Sequence, residues 1–136
     1  MREIYYRAYF TQKNCAVARG DRMEIKMQNA VKFSEDGRTL TASLLGEIDH
    51  HTARLQREGI DAMLFKARPE LLILDFSGVK FMDSSGIGLI IGRAEVCEGI
   101  GCRVNITGLS DTLKRLVRLS GIEKIKCLNI VEKRGV

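Results

Sequence analysis

Asp83-Ser84-Ser85-Gly86 is the stretch of this 136-residue chain whose residue types and spacing point most directly to chemistry. A helical segment follows it, with Ile87, Leu89, Ile90, Ile91, Ala94, Val96 and Cys97 as apolar members. Asp and Ser at a helix start satisfy orphan amides, an effect typically worth about 1 kcal/mol, so plain capping is one reading of the motif. The same place favours anions, because free amides and the helix dipole both attract negative charge. A phosphoserine would be tolerated there and would add about −1.5 to −2 of charge beside Asp83. That charge can repel an acidic partner or be left desolvated at an interface, so a serine in this position can be a binding switch. Gly86 and Gly88 would let another backbone approach closely, as a docking surface requires.

Other chemistries fit less well. Gly86 to Gly92 reads GxGxxxG, one residue longer than the dinucleotide fingerprint, and several residues separate the preceding strand from the first glycine. No Gly-Lys-Ser/Thr occurs, so the phosphate-loop lysine of a nucleotide hydrolase is missing. His50 and His51 are neighbours in sequence and cannot share a helix face as an i, i+4 metal pair would. The Gly-x-Ser-x-Gly elbow of a serine hydrolase is absent around Ser84 and Ser85. The chain is therefore expected to have no catalytic residues, metal or cofactor of its own. An enzyme acting through Ser85 and a histidine is the minority reading.

Composition narrows the class further. The chain is 45% hydrophobic and 29% charged with one proline, which suits one ordinary domain able to bury a core without disulfides or metal. Cys15, Cys97, Cys102 and Cys127 show neither the paired spacing of a zinc site nor the density of a disulfide scaffold, so free thiols and a cytoplasmic home are expected. The apolar stretches fall far short of the roughly 20 residues of a membrane span. Met1 to Asp21 mixes charge and aromatics where a secretory leader would be apolar. Of the net charge of +5, residues 1–22 carry +3, from five basic and two acidic side chains. The remainder is too evenly balanced for a nucleic-acid-binding face. Tyr5, Tyr6, Tyr9 and Phe10 lie among the basic residues of that leader and could stack on bases, but a weakly ordered extension 1–22 preceding a domain 23–136 is the simpler reading.

The elements that must position Ser85 follow from patterning. Ile25, Met27, Val31 and Phe33 predict a strand that turns at Ser34 to Gly37, and Thr39 to Leu45 predicts its hairpin partner, closed by Gly46. Asp49 is placed to cap a helix over 51–67 with Ala53, Leu55, Ile60, Ala62, Met63 and Phe65 buried, ending before Pro69. Leu71 to Phe76 is almost continuously apolar and predicts a central strand covered on both faces, followed by a loop carrying Ser77, Gly78 and Lys80. The helix of the motif then starts near Ser84 or Ser85 and ends at Gly99 to Gly101. Arg103 to Thr107 predicts a strand, and Ser110 to Ser120 a helix with Leu113, Leu116, Val117 and Leu119 inward and Lys114, Arg115 and Arg118 in solvent. Ile125 to Ile130 predicts a last strand. The order β-β-α-β-α-β-α-β predicts an α/β domain with one mixed sheet.

Gly46-Glu47-Ile48-Asp49-His50-His51-Thr52-Ala53, then Leu74-Asp75-Phe76, then Phe81-Met82-Asp83-Ser84-Ser85-Gly86-Ile87-Gly88 and Leu89-Ile90-Ile91-Gly92-Arg93, together resemble the STAS domain of bacterial anti-sigma factor antagonists, most closely those of sporulation. The resemblance runs from about Met23 to Ile130. It implies a protein-binding regulator of transcription without catalysis. The unphosphorylated form would bind an anti-sigma factor that is also a serine kinase with a GHKL-type ATP site, releasing a sigma factor. Phosphorylation at Ser85 would break that complex, and a PP2C-type, metal-dependent phosphatase would reverse it. ATP and magnesium would belong to the partner. Asp49, Asp83, Ser84, Ser85, Gly86, Ile87 and Gly88 would meet the partner, with Asp49 near the kinase. A second reading makes the chain a STAS subunit of a larger stress-sensing scaffold.

Overall fold

A computed structural model describes residues 31–132. The basic segment 1–22, Cys15, and the expected strand residues Ile25 and Met27 lie outside the described residues. Strand β1 (Val31–Asp36) turns through Gly37 and Arg38 into β2 (Thr39–Ile48). Helix α1 (His50–Ala67) leads to β3 (Leu71–Met82), and α2 (Ser84–Gly99) to β4 (Arg103–Thr107). Helix α3 (Asp111–Ser120), a single 3₁₀ turn (Ile122–Lys124) and β5 (Leu128–Ile130) complete the described chain. The five strands form one sheet in sequence order, β1 antiparallel to β2 and the rest parallel. This is the α/β order that the patterning predicts.

Alternation decides which side chains make the core. Leu40 pairs with Leu72, Ala42 with Leu74, and these in turn with Val104 and Ile106, so even-numbered residues of three strands form one buried row. Val31 and Phe33 extend it at one edge and Leu128 at the other. Buried faces of all three helices join the same core, with Ile60, Met63 and Leu64 from α1, Ile90, Ala94 and Cys97 from α2, and Val117 from α3. Leu71, Ile73 and Asp75, on the opposite face of β3, are only partly covered. The expected burial on both faces is therefore corrected among the described residues.

The segment carrying Ser77, Gly78 and Lys80, expected as a loop, is strand. Between Ser43↔Asp75 and Ile48↔Met82, β3 advances seven residues while β2 advances five, so two irregularities absorb the extra length. Loop-like residues in β3 are thus accommodated as bulges inside a continuous ladder. Gly46, expected to close β2, instead lies within it at φ +80°, between the two register shifts, where a side chain would be strained. The turn before β2 is likewise shorter than expected, since Ser34 to Asp36 pair with Thr41 to Thr39. The last strand begins at Leu128, because Ile125 closes the 3₁₀ turn by donating its amide to the Ile122 carbonyl.

Two apolar side chains expected inside are outside. Phe65 is 54% exposed and Leu119 is 80% exposed. The buried stripe of α1 runs through Ala53, Gln56, Gly59, Ile60, Met63 and Leu64, at helical spacing, and leaves Phe65 off its edge. In α3 the buried positions are Leu113 and Val117, one turn apart, with Leu116 partly covered.

Candidate functional site

The site is built where β2 and β3 end together. Ile48 and Met82 are register partners, and each is followed by an aspartate that caps the next helix. The amide of Asp83 donates to the Ile48 carbonyl at 3.2 Å, which fixes one cap beside the other. At the first, Asp49 Oδ1 accepts from the amides of His51 at 3.0 Å and Thr52 at 2.9 Å. The Thr52 hydroxyl accepts from the Asp49 amide at 2.9 Å and donates to the Glu47 carbonyl at 3.1 Å, completing a capping box. These contacts, the Thr52 amide foremost, hold the Asp49 carboxyl below the usual carboxylate range, against opposing desolvation.

At the second cap, Asp83 Oδ1 accepts from the Ser85 amide at 2.8 Å. Asp83 is thus the cap, Ser84 the first helical residue and exposed, and Ser85 half-buried in the first turn. The Ser85 hydroxyl makes no hydrogen bond among the described residues, so this serine is not the capping group. Ser85, Gly88 and Leu89 of α2 face His50, Ala53, Arg54 and Arg57 of α1 across an open groove of about 290 Å³.

The remaining residues singled out in the sequence separate into two sets. Gly88 is exposed on the groove, and a Cβ built there would meet nothing within 4 Å. Gly86 is buried, and a Cβ there would lie 2.5 Å from Met82 Sδ, so its missing side chain serves packing of α2 on β3. Ile87 is partly buried against the core. Asp49 is exposed at the mouth of α1.

Arg54 and Arg57 are site residues that the sequence reading passed over. Their signal was available, since His50, Arg54 and Arg57 recur at i, i+4 and i+7 and therefore share one face of α1. Deeper between the same helices, Arg93 Nε approaches Asp61 Oδ1 at 2.8 Å, with side-chain exposures of 5% and 28%. The N–H direction misses the carboxylate, so this is a close charge contact and not an aligned hydrogen bond. Burial pushes the Asp61 carboxyl up, against the pull of Arg93, and burial lowers the Arg93 guanidinium despite Asp61.

The three described cysteines, Cys97, Cys102 and Cys127, are free. The neighbouring Cys102 thiol and burial push the Cys97 thiol up, while Cys97 in turn draws the Cys102 thiol down. Among the described residues no cluster of three or more His, Cys, Asp or Glu could hold a metal ion, and no helix is long and apolar enough to cross a membrane.

With fold and site established, comparison with known proteins gives the class. The STAS domain model matches residues 30–133, and the chain belongs to that family. It is 34% identical over 84 residues to the anti-sigma F factor antagonist of Lysinibacillus sphaericus, covering 62% of this chain and 72% of that protein. Among solved structures it is similar to the anti-sigma factor antagonist SpoIIAA in its unphosphorylated form, with TM-score 0.67 and 28% identity over 77% of this chain and 89% of that one. It is also similar to the Bacillus cell fate determinant SpoIIAA in the phosphorylated form, with TM-score 0.62 and 27% identity over 77% and 92% of the two chains.

Proposed function

We propose that this protein is an anti-sigma factor antagonist switched by phosphorylation of Ser85. The observation that carries the reading is the state of that serine. Because Asp83 does the capping, the Ser85 hydroxyl has no hydrogen bond among the described residues and lies at a helix N-terminus, half-buried on a groove that opens to solvent. A nucleophilic hydroxyl in that state is available to a kinase, and the helix terminus tolerates the phosphate it receives. The likeness to SpoIIAA, solved in unphosphorylated and phosphorylated forms, supports the same reading.

The unmodified protein binds an anti-sigma factor that is also a GHKL-type serine kinase, freeing a sigma factor. Asp49, Asp83, Ser84, Ser85, Ile87 and Gly88 form the contact region, and Gly86 holds it on β3 from beneath. Phosphate at Ser85 adds about −1.5 to −2 of charge at the centre of that region and ends the complex. A PP2C-type phosphatase restores the binding form. The protein itself catalyses nothing, since ATP and magnesium sit on the kinase, and its free thiols suit a reducing cytoplasm.

The test is phosphosite mapping after incubating the purified protein with ATP and an extract of its native host that contains a competent kinase. Phosphate on Ser85, absent from Ser85→Ala, is the expected result. Phosphate elsewhere, or none, would remove the switch and leave a binding module of another kind.

A further inference from the structure

We infer that Arg54 and Arg57 of α1 form a cradle in cis for the phosphate on Ser85, so that the modified group lies across the groove between α1 and α2 on this chain's own cations. The inference rests on the reading of Ser85 as a phosphorylation site and adds what receives the group.

Charge at the α2 terminus favours such a cradle. Asp83 already places a carboxylate on the Ser85 amide, so one negative charge occupies the terminus before any modification. A helix N-terminus supplies the equivalent of roughly +0.5 charge, whereas a phosphate brings about −1.5 to −2 more. The terminus alone leaves most of that charge uncompensated. Within the same groove, the face of α1 opposite Ser85 carries Arg54 and Arg57, one turn apart, with His50 a turn before them.

Both arginines are exposed, and neither makes an ion pair among the described residues. Arg57 lies in the field of Asp61 and Arg93, but Asp61 is in close contact with Arg93, and Arg57 remains available. Guanidinium groups present planar forks that match phosphate oxygens in pairs, which suits them to this role better than ammonium groups. A volume of about 290 Å³ leaves room for several waters, at roughly 30 Å³ each, and so for a phosphate group with its solvent. The facing charged groups are thus His50, Arg54 and Arg57 from α1 and Asp83 from the α2 cap, with Arg93 engaged further along α2.

The experiment uses the full chain with phosphoserine installed genetically at position 85, so no kinase is needed and the result is independent of whether one acts there. Phosphorus NMR then follows the second ionisation of the phosphate. The expected midpoint lies below that of the Arg54→Gln, Arg57→Gln double variant by about one unit, the low end of the shift an adjacent opposite charge produces. The Arg54→Lys, Arg57→Lys variant keeps charge without the fork and recovers part of the shift. Coincident midpoints in the native chain and the glutamine variant overturn the cradle, even if mapping finds Ser85 phosphorylated in extract. A shifted midpoint supports it even if mapping finds no phosphate, in which case the switch fails and the anion site stands. Both arginines are exposed, and thermal melts of the unphosphorylated variants verify that the fold is retained.

Discussion

The Asp83 amide reaches the Ile48 carbonyl at 3.2 Å, and this bond ties the start of α2 to the end of β2. Asp49 follows Ile48 directly, so the two capping aspartates leave neighbouring parallel strands from one end of the sheet. Placement of sites at the carboxyl ends of parallel strands is general in α/β folds, because the following helices present their amides there. In this protein the arrangement leaves Ser85 in the first turn of one helix and Arg54 and Arg57 on the facing side of the other.

The cap at Asp83 is worth a measurable amount. Asp83→Ala removes the acceptor for the Ser85 amide and should lower stability by about 1 kcal/mol, while Asp83→Asn, also a good capping residue, should cost only a few tenths. Urea unfolding of the three proteins checks this. Equal losses in both variants would mean that the carboxylate charge, and not the hydrogen bond, carries the effect.

Two glycines in the same helix predict opposite outcomes. Gly86→Ala drives a Cβ to within 2.5 Å of Met82 Sδ in a buried position and should cost about 1–3 kcal/mol by overpacking. Gly88→Ala meets no atom within 4 Å and should stabilise by roughly 0.5–1 kcal/mol, because it lowers the backbone entropy lost on helix formation. If Gly88 lies at the partner interface as proposed, the same substitution weakens complex formation while raising the melting temperature, a combination that separates contact from folding.

Much of this fold is written locally. The alternation around Leu40, Ala42 and Leu44, the apolar run from Leu71, and the aspartates at 49 and 83 each identify their element without reference to the rest. What the sequence concealed depends on long-range pairing. Ser77, Gly78 and Lys80 have turn character, and only the ladder to β2 makes them strand, through irregularities that no local pattern announces. Phe65 and Leu119 are apolar by type yet exposed, because periodicity and not polarity selects the buried face: stepping from Ala53 by three and four reaches Gln56, Ile60 and Met63, all buried, and passes Phe65 by. The site shows the same contrast. The motif at Ser85 was legible from residue types, but its facing arginines become part of the site only when α1 and α2 pack together.

Two carboxyls should give the stability profile opposing slopes in acid. Asp49 is held below the ordinary carboxylate value, chiefly by the Thr52 amide, so between its lowered value and about 4 the unfolded chain binds more protons and stability falls as pH falls. Asp61 is raised by burial, so between about 4 and its raised value the folded chain binds more protons and stability rises as pH falls. Melting temperatures measured across this range should therefore climb on mild acidification and then drop. Asp49→Asn should flatten the acid drop, and Asp61→Asn should abolish the climb.

The proposed switch predicts a graded binding series at one residue. Ser85→Ala removes a hydroxyl that makes no hydrogen bond among the described residues, so the variant should remain as stable as the native protein and bind the kinase partner constitutively. Ser85→Asp and Ser85→Glu each add one negative charge beside Asp83, about half to two thirds of what a phosphate contributes. Their affinity for the partner should fall at least about tenfold, or roughly 1.4 kcal/mol, with phosphoserine at the same position weaker still. Calorimetric titration against the purified kinase, with ADP present to prevent turnover, reads all four forms on one scale. Affinities that did not change with charge at position 85 would leave the Asp83 to Gly88 surface without a regulatory role, whatever kinase acts on it.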